Sequence, residues 1–446
     1  MYLTLWWITD FNPSTGEVTT QGGDYPIKNL SFSPQTDLTG NSLPINEYTC
    51  DVVTEGMYGG VTTDAITHEL RDDLDRLWAG WQIYKAIRIS DTCVRVTCRS
   101  WINELDYIQM PETVYTGETA QTVIGTIFPN SILWEMANAL KSVQISGYAP
   151  AQTARERLTW VLFAIGGFVR DIYADRVQIL KTDSTEKMIP IDRTFMRPST
   201  DKADWVTGLK ITTYSFFQAA SDEEAAEYDN SYMFPLPWVA TESTVTITNS
   251  LAPEDAPENV IEIDGIYLVN PNNVSAIATR LALYWFNPLE ASLDCINNRQ
   301  YHPGDLVTGY TSRDDMLKGY VQQEAFKFGK QARSTLKLIG CLQVPSALLT
   351  INYKHSGRLL VKDEFRLPIG FEYEITTRYI DKTRKGRRRV YRPISATVTG
   401  TMVEGGVSAN MACEIALDLY EGVLTVLIVD EVTEQSSGGE TIGVIT

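Results

Sequence analysis

Residues 146–180, SGYAPAQTARERLTWVLFAIGGFVRDIYADRVQIL, spell out a helix and a hairpin inside an otherwise strand-like chain. Thr153 and Glu156 stand three apart, the spacing of a capping box that satisfies orphan N–H groups at a helix start. Leu158, Val161, Leu162 and Ile165 follow at i, i+3, i+4 and i+7, one apolar stripe along a helix. Gly166 and Gly167 then stop it in the left-handed cap that glycine adopts at low cost. FVRDIY and VQIL, joined at 174–176, read as a small hairpin for the stripe to cover. Nothing on this unit is reactive, so its purpose is packing.

Working outward, the period of the text changes. Upstream, TGETAQTVIGTIF sets Val123, Ile124 and Ile127 at helical spacing and Pro129 ends the run. Before about residue 110 the chain is mostly strand, beginning with MYLTLWWITDFNP. WQIYKAIRIS places Trp81, Ile83, Ile87 and Ile89 on one face, and VRVTCRSW alternates Val94, Val96 and Cys98 with polar residues. Between them and the N-terminus, HELRDDLDRL fits a turn or two of helix through Leu70, Leu74 and Leu77.

Downstream of 186 strands return, interrupted by the acidic loops SDEEAAEYD and APEDAPENV. NVSAIATRLALYWF predicts a further helix with Val274, Ile277, Leu281 and Trp285 on one side. After it come a strand near 293–296, the turn HPGD and the strand LVTGY. A hairpin, GYVQQEAFKFGKQARSTLKLIG, follows, with Gly329 at its tip and Phe326 and Phe328 on one face. The last hundred residues are all-β: Cys413, Ile415, Leu417 and Leu419 alternate, VLTVLIV reads as a strand buried on both faces, and EVTEQSSGGETIGVIT reads as an exposed tail. The reading is mainly β and multidomain (α+β): a first β-domain at 1–110, an inserted α/β domain at 111–185, a second β-domain with one helix at 186–345, and a C-terminal all-β domain with a polar tail at 346–446. No 20–50-residue period recurs, so a solenoid is not expected.

Bulk chemistry narrows the function. At 446 residues several domains are expected, and a net charge of −18 argues against specific nucleic-acid binding, which needs a basic face. The N-terminus lacks the basic and apolar regions of a signal peptide, and the longest apolar stretch, 158–169, is too short to span a bilayer. A soluble chain made inside a cell is expected. The six cysteines are scattered without a CxxC pair and read as buried thiols. Cys93 and Cys98, five apart on one strand, point to opposite faces.

Catalytic constellations are not expected. The three histidines, His68, His302 and His355, fall in three predicted domains, which disfavours a triad or metal cluster. HELRD starts like a zinc-protease helix but has aspartate where the second imidazole must stand. No GxSxG elbow, Walker A loop or dinucleotide fingerprint occurs, and YGGV is a loop. Acidic pairs such as Asp72–Asp73 and Glu223–Glu224 are neighbours in sequence and do not face each other as a glycosidase pair must. No cofactor, metal or catalytic residue is assigned.

One segment departs from the background. RYIDKTRKGRRRVYR, 378–392, carries eight basic residues and one acid, a local +7 against −25 for the remainder. Flanking strands would put Arg384, Lys385, Arg387, Arg388 and Arg389 on a hairpin tip, as a solvated loop or as a candidate interface for an acidic neighbour. The 22 tyrosines and 10 tryptophans suit β-rich cores first and subunit interfaces second.

Several segments together resemble the hub proteins of tailed-phage tail tips and baseplates. SFSPQTDLTGNSLPINEYTCDV and WQIYKAIRIS…VRVTCRSWINELD are similar to the first β-domain of that family. TGETAQTVIG and SGYAPAQTARERLTWVLFAIGGFVRD resemble its inserted α/β domain, and the run from Asn273 through HPGDLV to KLIG resembles the end of its second β-domain. The likeness runs in order over about 1–345 and leaves the last hundred residues unmatched. It implies two tube-like β-barrel domains, to which a C-terminal β-sandwich-like domain is added. By that resemblance the chain is a structural virion protein, not an enzyme. It would be a homotrimeric symmetry adapter that closes the tail tube at the tail tip or baseplate, assembled in the host cytoplasm and serving host attachment. The implied partners are the tail-tube or distal-tail protein ring, the tape measure protein, and tail fibre, spike or baseplate proteins. The alternatives are a receptor-binding or distal-tail adaptor protein and a tail-associated cell-wall hydrolase.

Overall fold

The computed structural model describes the chain except residues 13–16, 55–66, 174–175, 190–193, 195–198, 203, 229–232, 297–298, 311–315, 328–332, 345–346, 354–356, 366–371, 382–389, 399–400, 403–408, 418–421 and 436–446. The fold is mainly β. It divides into two compact units. One holds Met1–Met188, Met196–Thr308 and Lys318–Leu342; the other holds Ile189–Phe195, Gly309–Leu317 and Gln343–Thr446.

In the first unit, seven early strands, β1 (Tyr2–Asn12), β2 (Glu17–Phe32), β3 (Glu47–Val53), β4 (Thr67–Arg71), β5 (Leu77–Gly80), β6 (Gln82–Ser90) and β7 (Cys93–Arg99), build one side of a large sheet. The path runs β5-β4-β1-β2, and β2 also pairs β3, which leads through β7 to β6. The other side consists of late strands, among them Leu289–Ile296, Met316–Lys327 and Arg333–Val344. The two sides join where Phe32 of β2 lies opposite Phe326. Among the described residues this sheet counts thirteen strands. An aromatic knot fills the junction. Phe32 and Phe326 stack at 5.4 Å between ring centres, Trp81 meets Phe32 edge-on at 5.4 Å, and Trp78 meets Phe326 at 4.8 Å. Burying each such ring contributes roughly 2–3 kcal/mol.

The decisive stretch folds largely as its residues dictate. Helix α1 (Ala120–Ile127) starts at Thr119, whose hydroxyl accepts the Thr122 N–H, and buries Val123, Ile124 and Ile127. Helix α2 (Ala154–Ile165) opens with the complete Thr153–Glu156 capping box and closes on Gly166 at φ +74°. Leu158, Val161, Leu162 and Ile165 are all buried, in one core with α1. Strands Phe168–Arg170 and Val177–Leu180 pair antiparallel, Val169 opposite Ile179. The hairpin has a third member, since Trp134–Met136 joins Val177–Leu180 in parallel.

A separate sheet in the same unit pairs Gly208–Gln218 with Trp238–Thr248 antiparallel and with Val260–Ile263 in parallel. Helix α3 (Val274–Trp285) packs on it through Ile277, Ala278 and Leu281. Its inner face is rotated slightly from the expected one: Tyr284 is buried, while Trp285 is only partly covered. Gly147 is where the α/β module meets this region. At φ +132°, a Cβ there would stand 2.2 Å from the Tyr267 carbonyl oxygen, a distance that excludes any side chain.

The structure corrects the sequence reading at three places. HELRDDLDRL is not helical; it is β4, a turn and β5. The Asp72 carboxylate accepts the backbone N–H groups of Leu74 and Arg76 and the Trp78 indole N–H, which closes a tight hairpin and leaves Leu74 in solvent. In β6, Trp81 and Ile83 are buried but Ile87 and Ile89 are 44% and 51% exposed. Register shifts between Ile83 and Lys85 and between Arg88 and Ser90 break the alternation assumed for one face. In the second unit, Gly422–Gln435 is one strand paired with Glu372–Asp381 as far as Gln435 opposite Glu372, so EVTEQ belongs to a sheet and not to a tail. That unit holds two antiparallel sheets among the described residues.

Candidate functional site

The histidines and thiols lie on several elements, with Cys50 and Cys98 together in the core of the early strands. His68 lies in β4, His302 in the turn before Leu306–Tyr310, and His355 outside the described residues. Burial lowers His302 to about 4, holding the ring neutral, and its centre is 4.4 Å from that of Tyr173. Asp305 fixes the turn by accepting the His302 backbone N–H and by pairing with Lys187 at 2.5 Å. Cys50, Cys93, Cys98, Cys295 and Cys341 are free thiols. Burial pushes Cys98, Cys295 and Cys341 up to about 12, so they stay protonated. Among the described residues no three His, Cys, Asp or Glu side chains gather as a metal site. Arg384, Lys385, Arg387, Arg388 and Arg389 lie outside the described residues. The strands bounding them, Glu372–Asp381 and Val390–Val398, pair antiparallel with Asp381 opposite Val390.

Three buried polar groups escaped the sequence reading. Arg157 of α2 is fully buried and meets no carboxylate among its hydrogen-bond partners. Its guanidinium donates to the Tyr115 hydroxyl at 3.0 Å and to the carbonyls of Pro111 and Pro150 at 2.8 Å each, pinning two loops to the helix. The signal was present: Arg157 shares a helix face with Ala154, Val161 and Ala164 at i−3, i+4 and i+7. Arg280 of α3 donates to the Phe163 carbonyl at 2.8 Å in the last turn of α2, where a cation complements the helix dipole; burial lowers it to about 10. Asp171, just past Phe168–Arg170, accepts from the Asn46 amide at 2.9 Å, and burial raises its carboxyl to about 6. Arg280 and Asp171 tie the α/β module to its surroundings, while Arg157 holds loops within it.

The feature that points outward is β6. Among the described residues it pairs on one side only, with β7. Tyr84, Ile87 and Ile89 are exposed along it, interspersed with the exposed cations Lys85 and Arg88. Arg99 covers the Tyr84 ring at 3.6 Å. An edge strand presents unpaired backbone donors and acceptors, and this one adds exposed apolar side chains.

No family model matches the chain, and no curated protein does. Among solved structures it is similar to the prophage tail protein gp18 of Listeria monocytogenes, at 12% identity over 76% of this chain and 94% of that one, with a TM-score of 0.48. It is similar to a tail protein of Neisseria meningitidis at 10% identity, over 76% and 96% of the two chains, with the same TM-score of 0.48. A 43 kDa prophage tail protein of Shewanella oneidensis is similar at 8% identity over 75% and 98%, TM-score 0.47.

Proposed function

We propose that the chain is a structural protein of a phage or phage-like tail, the hub that closes the tail tube as a homotrimer. The observation that carries this reading is the edge at β6, which among the described residues pairs on one side only and exposes Tyr84, Ile87 and Ile89. Such an edge is a template for a neighbouring chain and a liability for a monomer. The ordered likeness of residues 1–345 to hub proteins supports the same reading, with the two β-rich stretches as tube-like domains and the α/β module as a rigid spacer. In this reading three copies close a ring. The basic segment at 384–389 then docks an acidic neighbour in the tail tip, beside the tube, tape measure and fibre proteins.

Mass photometry of the purified full chain tests the assembly. A particle of three times the 50.0 kDa chain mass is expected, and Ile87→Lys with Ile89→Lys converts it to folded monomer. A stable monomer at every concentration overturns the hub reading. Charge reversal at Arg387, Arg388 and Arg389 tests the docking role: attachment to tail particles in low salt falls, and unchanged attachment refutes it.

A further inference from the structure

A cleft of about 500 Å³ opens beside the strand Gly208–Gln218, within the size range of small-molecule sites. Val260–Ile263 covers that strand only over Gly208–Ile211, and the stretch beyond it walls the cleft with Tyr214, Ser215 and Phe216. Tyr115, Trp238 and Asn272 are among the other residues that line it.

The aromatic groups are set in place before any ligand arrives. Tyr115 and Tyr214 are buried with their hydroxyls engaged, the first accepting from Arg157 and the second donating to Asp264 while accepting the Gly265 N–H at 3.1 Å. Phe216 is braced edge-on against Phe234 at 4.9 Å. Trp238 is half-buried. Its indole N–H, the Ser215 hydroxyl and the Asn272 amide make no hydrogen bond among the described residues. Among the described residues no Asp, Glu, Lys, Arg or His lines the cleft, in a chain that is 21% charged.

This combination selects against ions, because a buried charge without a counter-charge is costly. It suits a ligand that is neutral, has an apolar C–H face for the aromatic rings, and carries hydroxyls or amides around its rim. Partial positive C–H groups are attracted by the negative face of an aromatic ring. We propose that the cleft binds a neutral saccharide. The proposal stands independently of the assembly reading above.

The test is saturation-transfer NMR and calorimetry on the intact chain with chitotriose, cellotriose and maltotriose, and with adenosine as the flat non-sugar competitor. Binding of at least one trisaccharide is expected with a dissociation constant on the order of 0.1–1 mM. Trp238→Ala should weaken it about tenfold or more, and Trp238→Phe should keep most of it, since the ring face is retained. If Trp238→Ala lowers the melting temperature, Asn272→Ala on the exposed rim replaces it, with an expected loss of about fivefold. Absence of transfer from all three sugars, preference for adenosine, or affinity unchanged in the variants overturns the proposal.

Discussion

Helix α2 and strand β6 contain similar apolar residues and put them in opposite places. Leu158 and Val161 of α2 are fully buried, whereas Ile87 and Ile89 of β6 stand about half exposed. A helix satisfies its backbone internally, so its stripe needs only a cover, and nearby α1 and the strands at 168–180 supply one. A strand depends on neighbours for both hydrogen bonds and burial. β6 pairs with β7 as far as Ser90, but past Ile83 its register shifts twice and Ile87 and Ile89 are left without cover. Apolar pattern predicts burial where cover is local, and predicts only a capacity for contact where cover must come from elsewhere.

The strongest way to break this contrast is at Arg157, the charge inside the buried region. Arg157→Ala strands the carbonyls of Pro111 and Pro150, and a loss of about 3–5 kcal/mol is expected in urea denaturation. A loss under ~1 kcal/mol would mean that the loops are not held from the helix.

Asp171 sharpens the comparison through pH. Its carboxyl sits at about 6 in the fold, above the ordinary 3.8, because burial disfavours its charge. The raised value means that the folded state holds the proton more tightly. Its stabilising contribution is therefore full below the ordinary value and is lost as pH rises through 6. Asp171→Asn cannot ionise and should gain about 2–3 kcal/mol over the parent at pH 7, with the gain vanishing near pH 4. Equal stability at both pH values would contradict the buried placement.

Thr153→Ala removes the capping hydroxyl of α2 and should cost about 1 kcal/mol, read as a lowered thermal midpoint. The smallest effect belongs to the exposed strand: Ile87→Ser should leave monomer stability within about 0.5 kcal/mol. Its consequence should appear in assembly mass instead. A large loss of stability there would show that β6 is already covered within one chain.

Much of the α/β module was legible because its signals are local. The capping box, the stripe, the glycine cap and the following hairpin all lie within 35 residues. The turn at Asp72 was misread because leucines at 70, 74 and 77 imitate helical spacing. Only the bonds from the Asp72 carboxylate reveal the hairpin. The third strand, Trp134–Met136, was hidden by the forty or so residues between it and its parallel partner. Of the candidate site, the burial of Cys50, Cys98, Cys295 and Cys341 could be read directly. The cleft could not, since Tyr115, Tyr214 and Trp238 on separate strands and Asn272 in the turn before α3 come together only in the folded chain.

By itself, the sequence determined the strand-rich character and the caps and stripes of the helices. Those depend on backbone preferences and periodicities that act over a few residues. Tertiary structure alone decided that Phe32 would meet Phe326, that Arg157 would be enclosed by carbonyls and that Ile87 would face water. Each of these depends on which distant surface arrives to exclude solvent, and that is a property of the whole packed chain.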